Sequence, residues 1–278
     1  MVSLKDLRIA AKKRLDTAKI DSPLADIDYI LGAMGFSKSE ILLGERPLDD
    51  IAEQSFWSAV LRLESGEPVQ YIVGKCEFMS LEFEVNPYTL IPRADTEILV
   101  ETVIALCQNI PDPVIFEVGT GSGCIAISLA HYIKNANVTS ADISPKALET
   151  AMRNANRNGV SVEFVEKDIL RGFPKLDALP DIIVSNPPYI PTADVLALDR
   201  KVCDFEPLSA LDGGTDGLNF YRFIVQNAPL KSGGYLAFEV GINQSRDVAT
   251  LMNAAFQDIQ IIKDLAGIER VVIGKSKT

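Results

Sequence analysis

From residue 95 onward, short apolar strands alternate with helical stretches, and this alternation constrains the fold more than any other feature of the chain. It predicts an α/β protein with a mostly parallel, doubly wound sheet. Ligands in such folds bind at the carboxyl ends of the strands, near the point where the strand order reverses. The predicted strands cover residues 114–118, 138–141, 162–165, 182–185, 235–240, 259–262 and 270–273. The predicted helices cover residues 95–108, 124–133, 145–158, 218–228 and 244–255.

The N-terminal segment has helical periodicity instead. Three apolar stripes predict a small helical bundle over residues 1–66. Ser22-Pro23 has the residue types of a helix start and precedes the second stripe, and the third ends near Gly66. The first stripe consists of Leu4, Leu7, Ala11, Leu15 and Ala18.

A third pattern separates these two regions. Residues 67–93 contain strand-like segments that are broken at Gly74-Lys75 and at Asn86-Pro87. We predict a β-hairpin linker here, followed by the α/β domain over residues 94–278. The strand-like segments cover residues 71–73, 76–78 and 81–85.

The charge distribution bears on possible partners. The chain has a net charge of −11; residues 1–75 carry 10 basic and 12 acidic side chains, and the remainder carries 17 and 26. Nucleic-acid binding through phosphate contacts needs a basic face. The acidic α/β domain therefore disfavours a free nucleic acid as the substrate.

Metal, membrane and export signals are weak. The four cysteines are scattered and His131 is the only histidine, so we predict no metal site. No apolar run has the ~20 residues that cross a bilayer, and the first residues lack the pattern of a signal peptide. We expect a cytoplasmic, monomeric protein that does not associate with a membrane.

A glycine-rich loop follows the first predicted strand of the α/β domain. Its spacing, Gly-x-Gly-x-Gly, differs from the Gly-x-Gly-x-x-Gly of dehydrogenases. Glu117 stands just before the loop, where it would repel a phosphate but suit a cationic ligand. The predicted cofactor-binding residues of this segment are Glu117, Gly119, Thr120, Gly121, Ser122 and Gly123.

Two further carboxylates follow neighbouring predicted strands. Asp142, with Ile143, comes about 20 residues beyond the loop, where a carboxylate can accept hydrogen bonds from both ribose hydroxyls. Asp168 and Ile169, after the next strand, occupy the expected position of an adenine; a surface turn is the alternative for Asp168. Together these features favour S-adenosylmethionine over NAD as the cofactor.

The strand at residues 182–185 continues directly into Asn186-Pro187-Pro188-Tyr189. Two consecutive prolines remove two backbone donors and stiffen the turn. A planar NH2 group needs two acceptors in its plane, which the Asn186 side-chain oxygen and the Pro187 carbonyl can supply. Tyr189 can then lie against the face of that group. We predict that Asn186, Pro187 and Tyr189 are catalytic, that all four residues bind the substrate, and that Asn186 also contacts the cofactor.

Four stretches of the chain resemble the HemK/PrmC family. They are residues 68–74 (PVQYIVG), 90–97 (LIPRADTE), 186–189 (NPPY) and 206–214 (EPLSALDGG). The resemblance covers nearly the whole chain and departs from the family pattern only at Ala94, where proline is usual, and at Glu117, where aspartate is frequent. It implies a class I, Rossmann-like methyltransferase domain with a seven-stranded sheet, preceded by a helical bundle and a β-hairpin.

The resemblance also implies an activity. Members of the family transfer a methyl group from S-adenosylmethionine to the N5 atom of the glutamine in the Gly-Gly-Gln loop of class I peptide chain release factors, and release S-adenosylhomocysteine. Arg93 is expected to bind the substrate by helping to frame the cofactor and acceptor pocket, with a structural ion pair as the alternative. Glu206-Pro207 is expected to belong to a loop that covers the acceptor site.

Two other functions remain as alternatives. An adenine-N6 methyltransferase acting on nucleic acid would share the Asn-Pro-Pro-Tyr turn but needs a basic groove and a way to extract the base. A catalytically silent cofactor-binding module would not need an intact acceptor motif. The sequence leaves the role of the N-terminal bundle open.

Overall fold

A computed structural model describes residues 2–44 and 46–277 of the chain, so the outer limits of the first and last predicted domains lie outside it. The described residues form twelve α-helices: α1 (Leu4–Thr17), α2 (Pro23–Ala33), α3 (Lys38–Leu43), α4 (Asp50–Glu64), α5 (Val69–Val73), α6 (Glu97–Cys107), α7 (Cys124–Tyr132), α8 (Pro145–Arg157), α9 (Thr192–Val195), α10 (Arg200–Cys203), α11 (Asn219–Asn227) and α12 (Ser245–Met252). They also form nine strands: β1 (Lys75–Phe78), β2 (Leu81–Glu84), β3 (Val114–Val118), β4 (Asn137–Asp142), β5 (Glu163–Glu166), β6 (Ile182–Ser185), β7 (Tyr235–Glu239), β8 (Phe256–Lys263) and β9 (Glu269–Ser276).

The chain divides into two compact units. The first comprises residues 1–75 and 199–205, and the second comprises residues 76–198 and 206–278. The prediction of three segments with limits at residues 66 and 93 stays a prediction.

The first unit is helical. Ser3 caps α1 by accepting a hydrogen bond from the Asp6 backbone N–H, and Ser37 and Glu40 form a reciprocal capping box at α3. Pro23 occupies the first turn of α2 as predicted, although Ser22 makes no side-chain capping bond. The apolar stripes of α1, α2 and α4 pack into one buried core. The helical bundle is therefore stabilised by burial of these stripes, as their spacing predicted.

One predicted element of this region is wrong. Residues 71–73 were expected to be a strand, because Tyr, Ile and Val favour strands. They form the end of α5, which follows Pro68 and stops at Gly74 in a left-handed conformation with φ of 79°. Val69 packs into the core of the first unit, so tertiary packing overrides the local preference.

The second unit contains a seven-stranded sheet in the order β5-β4-β3-β6-β7-β9-β8. The first five of these strands pair in parallel, and β9 is antiparallel to both of its neighbours. The strand order reverses between β3 and β6, and the loops after these two strands carry the glycines and the Asn-Pro-Pro-Tyr turn. This confirms the predicted α/β class and places both motifs at the switch point, where such folds bind ligands.

From Cys76 onward, the hairpin of β1 and β2 also belongs to the second unit. Its turn residues Met79 and Ser80 both have positive φ, of 49° and 58°, the sign required at both central residues of a type I′ turn. Buried Asn154 on α8 accepts a hydrogen bond from the Glu84 N–H and donates to the carbonyls of Glu84 and Ser122. One asparagine thus joins the hairpin to the glycine loop and steadies the edge of the site.

Within residues 2–44 and 46–277, no helix combines the length and the apolar character needed to span a lipid bilayer.

Candidate functional site

A cavity of about 550 Å³ lies at the carboxyl ends of the parallel strands in the second unit. This volume is within the range that small-molecule and cofactor sites occupy. Its wall includes most of the predicted site residues: Arg93, Glu117, Gly119, Thr120, Gly121, Ser122, Asp142, Ile143, Asp168, Ile169, Asn186, Pro187 and Pro188.

The glycine loop has a backbone that only glycine adopts easily. Gly119, Gly121 and Gly123 all have positive φ, of 89°, 52° and 82°. Gly123 also lacks space, since a Cβ there would lie 2.7 Å from Cδ1 of Ile127 and 3.0 Å from Cβ of Ala151. Gly123 is not part of the cavity wall, and its lack of a Cβ lets α7 start close to α8; its contact with the cofactor stays a prediction.

Glu117 is fully buried at the base of the cavity. Its Oε2 accepts a hydrogen bond from the Ser140 hydroxyl, whereas Oε1 has no partner among the described residues. Burial raises the pKa of Glu117 to about 8, against the lowering effect of the Ser140 hydrogen bond. A buried carboxylate oxygen without a donor is costly. A ligand with a cationic amino group would supply the missing donor and favour the ionised form.

Asp142 ends β4 and organises the loop as well as the cavity wall. Its carboxylate accepts hydrogen bonds from the backbone N–H groups of Gly121 at 2.9 Å and Ser144 at 2.8 Å. Ser144 caps α8 through the Ala147 N–H. Burial raises the pKa of Asp142, and these backbone hydrogen bonds oppose the rise. Each oxygen retains acceptor capacity for ribose hydroxyls.

Apolar side chains line the cavity near Asp168, where the sequence predicts the adenine. Ile143 is 56% exposed and Leu170 is 41% exposed, and both line the wall. Asp168 lines it too, but its carboxylate accepts a hydrogen bond from the Leu170 N–H and pairs with Arg171 at 3.0 Å. Asp168 therefore does hold a turn, the alternative that its sequence position suggested, while contact with an adenine stays a prediction.

The Asn-Pro-Pro-Tyr turn contributes Asn186, Pro187 and Pro188 to the cavity wall. The Asn186 Nδ2 donates to the Thr96 hydroxyl at 3.3 Å, which leaves its Oδ1 free to accept. The Pro187 carbonyl accepts no backbone hydrogen bond within the described residues. The turn is braced from behind, because a Cβ at Gly213 would lie 2.7 Å from the Pro188 carbonyl oxygen. The two acceptors that a planar NH2 group needs are thus fixed on one short segment.

Tyr189, like Gly123, is a predicted site residue that lies outside the cavity wall. Its ring packs toward Gly241, where a Cβ would lie 3.0 Å from it, and its carbonyl accepts from Gln244 at 2.8 Å. Burial raises the pKa of Tyr189 to about 12, and the nearby Glu239 makes the second-largest contribution to this rise. Contact between Tyr189 and a substrate stays a prediction.

Arg93 lines the cavity and also forms the ion pair that was its alternative role. Its partner is Glu206, whose side chain is only 2% exposed. Burial raises the pKa of Glu206 and Arg93 lowers it. The pair fastens the segment that begins at Glu206, and Pro207, Leu208, Ser209 and Ala210 of this segment line the cavity.

Some wall residues were not singled out from the sequence. Thr96, Phe220 and Asn219 line the cavity, and only Thr96 lies in a stretch that the family resemblance had marked. Residues 219 and 220 begin α11 and have no motif around them, so no sequence signal pointed to them. Among residues 2–44 and 46–277, no group of three metal-liganding side chains comes together.

The residues present fit S-adenosylmethionine. The glycine loop offers backbone at close range, Glu117 Oε1 lacks a donor, Asp142 retains acceptor capacity, and Ile143 and Leu170 offer an apolar slot. Asn186 and Pro187 line the same cavity. The arrangement can therefore hold a cationic nucleoside beside a planar NH2 group.

Comparisons with known proteins agree with this geometry. A family model described as "Methyltransferase small domain" matches residues 94–199, and one described as "PrmC N-terminal domain" matches residues 6–74. A release factor glutamine methyltransferase from Moorella thermoacetica is 42% identical over 94% of this chain and 94% of its own length. One from Geobacter sulfurreducens is 39% identical over 95% of this chain and 92% of its own length. A methyltransferase structure from Pyrococcus furiosus, 18% identical, has a TM-score of 0.52 and covers 79% of this chain and 96% of that one. That likeness supports the fold.

Proposed function

Because this chain belongs to the family of release factor glutamine methyltransferases, we propose that it transfers a methyl group from S-adenosylmethionine to the side-chain amide nitrogen of the Gly-Gly-Gln glutamine in class I peptide chain release factors. Such methylation would modulate translation termination. The proposal includes a cytoplasmic location and a monomeric enzyme whose partner is the release factor.

One observation carries the proposal within the structure. The Asn186 Oδ1 and the Pro187 carbonyl accept no hydrogen bond from the described residues, and both residues line the cavity that the glycine loop and Asp142 also line. A glutamine NH2 group has two donors in one plane. It can satisfy both acceptors at once, with its nitrogen near the place where a methyl donor binds.

The residues of this chain have separate tasks in the reaction. Glu117, the glycine loop and Asp142 would hold the cofactor. When bound, S-adenosylmethionine supplies an electrophilic methyl group on a positively charged sulfur; as that group is transferred, S-adenosylhomocysteine forms and the amide nitrogen releases one proton to water. Asn186 and Pro187 orient the nitrogen, whose lone pair is delocalised and needs alignment. Their oxygens also place negative potential where positive charge develops.

The adenine-N6 alternative is less well supported. The part of the chain beyond residue 75 has 17 basic against 26 acidic side chains; the cavity wall contains the cations Arg93 and Lys167, and Arg93 is paired with Glu206. A nucleic-acid substrate would need several unpaired cations to meet its phosphates. A release factor needs only to insert one extended loop.

A transfer assay tests the proposal. The protein is incubated with methyl-labelled cofactor and with purified release factor, with the same factor carrying glutamate in place of the target glutamine, or with DNA and RNA. We expect label only in the unaltered factor, and peptide mass spectrometry should place it on the glutamine. Label in nucleic acid, or equal label in the glutamate-bearing factor, would refute the proposal.

A further inference from the structure

The orientation of the Asn186 amide decides what the acceptor site can hold. The two ends of a primary amide have nearly the same shape, but the oxygen accepts hydrogen bonds and the NH2 group donates them. If the NH2 end faced the cavity, it would oppose the NH2 group of a glutamine. The protein must therefore fix which end faces inward.

Thr96 provides one part of this restraint. Its side chain is buried, with 2% of the residue exposed, and its hydroxyl accepts a hydrogen bond from Asn186 Nδ2 at 3.3 Å. The Thr96 backbone N–H donates to the Arg93 carbonyl at 3.0 Å, which holds the residue at the start of α6. The hydroxyl, having accepted from Asn186, has its own hydrogen left to donate.

Glu239 provides the second part. Ser185 on β6 pairs with Phe238 on β7, so Asn186 and Glu239 follow next to each other at the ends of neighbouring strands. Glu239 is 4% exposed; burial raises its pKa, and the nearby Thr96 and, more weakly, Asn186 side chains oppose that rise by favouring its ionised form. An ionised carboxylate only accepts hydrogen bonds. Its presence therefore makes Thr96 and the Asn186 NH2 group the donors.

We propose that Thr96 and Glu239 are positioning residues, which hold the Asn186 amide with Nδ2 turned away from the acceptor nitrogen and Oδ1 turned toward it. The inference rests on the proposed function, in which Asn186 binds the acceptor NH2 group. Neither Thr96 nor Glu239 needs to touch the substrate for this role.

The same arrangement makes the site sensitive to pH. A protonated Glu239 can donate to Thr96, which can then donate to Asn186 Oδ1 and allow the amide to turn. Burial raises the pKa of Glu239 to about 7, so ionisation and the correct amide orientation are gained as pH rises through that value. The other titratable or charged groups that face Glu239 are Asp95 before α6, Cys124 on α7, Tyr189 after β6, Tyr221 on α11 and Arg270 on β9.

Steady-state kinetics with release factor test the role of Thr96. Thr96→Val removes the hydroxyl at nearly constant shape and should lower kcat by about 10- to 100-fold, with the KM for the cofactor within about threefold of wild type. Thr96→Ser should restore most of kcat. Thr102→Val is the matched control, because that hydroxyl only donates to the Ile98 carbonyl within α6, and wild-type kinetics are expected.

The pH profile of kcat tests Glu239. Wild type should lose activity with an acid limb near pH 7. Glu239→Gln should lower kcat and remove that limb. An unchanged acid limb in Glu239→Gln, or a Thr96→Val enzyme with wild-type kcat, would overturn the inference.

A measurement without substrate separates this inference from the proposed function. The side-chain NH2 resonances of Asn186, assigned by their absence in Asn186→Asp, report the hydrogen bonds directly in nitrogen-15 spectra. They should shift with a midpoint near pH 7 in wild type and lose that titration in Glu239→Gln. Resonances that do not titrate in wild type, or that are unchanged in Thr96→Val, refute the positioning role whatever the acceptor is. If the Asn186 resonances titrate as expected but the release factor is not methylated, the proposed function is refuted and the positioning role is not.

Discussion

Two buried glutamates, Glu117 and Glu239, differ in how they act on the site. Burial raises the pKa of both, to about 8 and about 7, and each has one oxygen without a partner among the described residues. Glu117 lines the cavity, so a cationic ligand can meet it directly. Glu239 lies outside the cavity wall and bears on it through Thr96 and Asn186.

Burial of a carboxyl group therefore does not by itself define its role. Both strands end at the same edge of the sheet, with β6 between them. The surroundings of each carboxyl group determine its role. Glu117 lies next to the ligand cavity, whereas Glu239 lies next to the Asn186 amide, whose orientation must be fixed. Substitutions at the cofactor end should therefore weaken cofactor binding, and substitutions at the acceptor end should lower kcat.

Asn186→Ala is expected to have the largest effect, because it removes an acceptor that aligns the nitrogen at the moment of transfer. We expect kcat to fall by about 1,000-fold, while the Kd for the cofactor stays within about threefold of wild type. Single-turnover methylation and calorimetric titration of the cofactor measure the two quantities. Asn227→Ala, on an exposed position of α11 where Nδ2 donates to the Phe223 carbonyl, is the control. A large loss of cofactor affinity in Asn186→Ala would mean that the two ends are not separate.

Asp142→Ala should do the reverse. Loss of the charged acceptor for ribose hydroxyls, and of the bonds that hold the Gly121 and Ser144 N–H groups, should weaken cofactor binding by about 100-fold. At saturating cofactor, kcat should remain within about threefold of wild type. Asp112→Ala, which loses a bond from Asn135 on the surface, should bind the cofactor normally. Unchanged affinity in Asp142→Ala would remove this carboxylate from the site.

The glycine loop allows a comparison within the cofactor end itself. Gly121→Ala meets open space and should lose about 1 kcal/mol of unfolding free energy to its positive φ. Gly123→Ala has the same backbone strain and also collides with Ile127 and Ala151, so it should lose about 2–4 kcal/mol. Urea unfolding of both variants gives the difference. Equal losses would show that the packing of α7 against α8 yields easily at this point.

The sequence predicted the cofactor end more completely than the acceptor end, and the reason is physical. Residues 117–123 and 142–143 are contiguous with strands, so periodicity and spacing place them. The strands predicted at 114–118 and 182–185 match β3 and β6, and the α/β class follows from them.

The acceptor end depends on contacts between distant segments, which spacing does not reveal. Thr96 reaches Asn186 from 90 residues away, and Arg93 reaches Glu206 from 113. Nothing in the composition of the Asn186-Pro187-Pro188-Tyr189 turn shows that the tyrosine ring packs toward Gly241, since that depends on the loop after β7. The strand expected at residues 71–73 failed for the same reason, because packing rather than local preference made it a helix.

Glu117→Gln should have the smallest effect on cofactor affinity, and this effect separates the role of Glu117 from that of Glu239 most directly. In the free enzyme Glu117 is protonated below about pH 8, and a cationic ligand favours its ionised form, so wild-type affinity for the cofactor should be about tenfold weaker at pH 6 than at pH 8. Glu117→Gln should bind the cofactor with nearly constant affinity over this range, and Glu239→Gln should keep the wild-type pH dependence.

The stability of the protein should also depend on Glu117. Because the folded state of wild type binds a proton that the unfolded chain has lost, its unfolding free energy should decline as pH rises from about 4.5 to 8, and Glu117→Gln should reduce that decline. Calorimetric titration and urea unfolding at both pH values measure these effects. If Glu239→Gln rather than Glu117→Gln removed the pH dependence of cofactor binding, the two carboxyl groups would have exchanged the roles assigned to them.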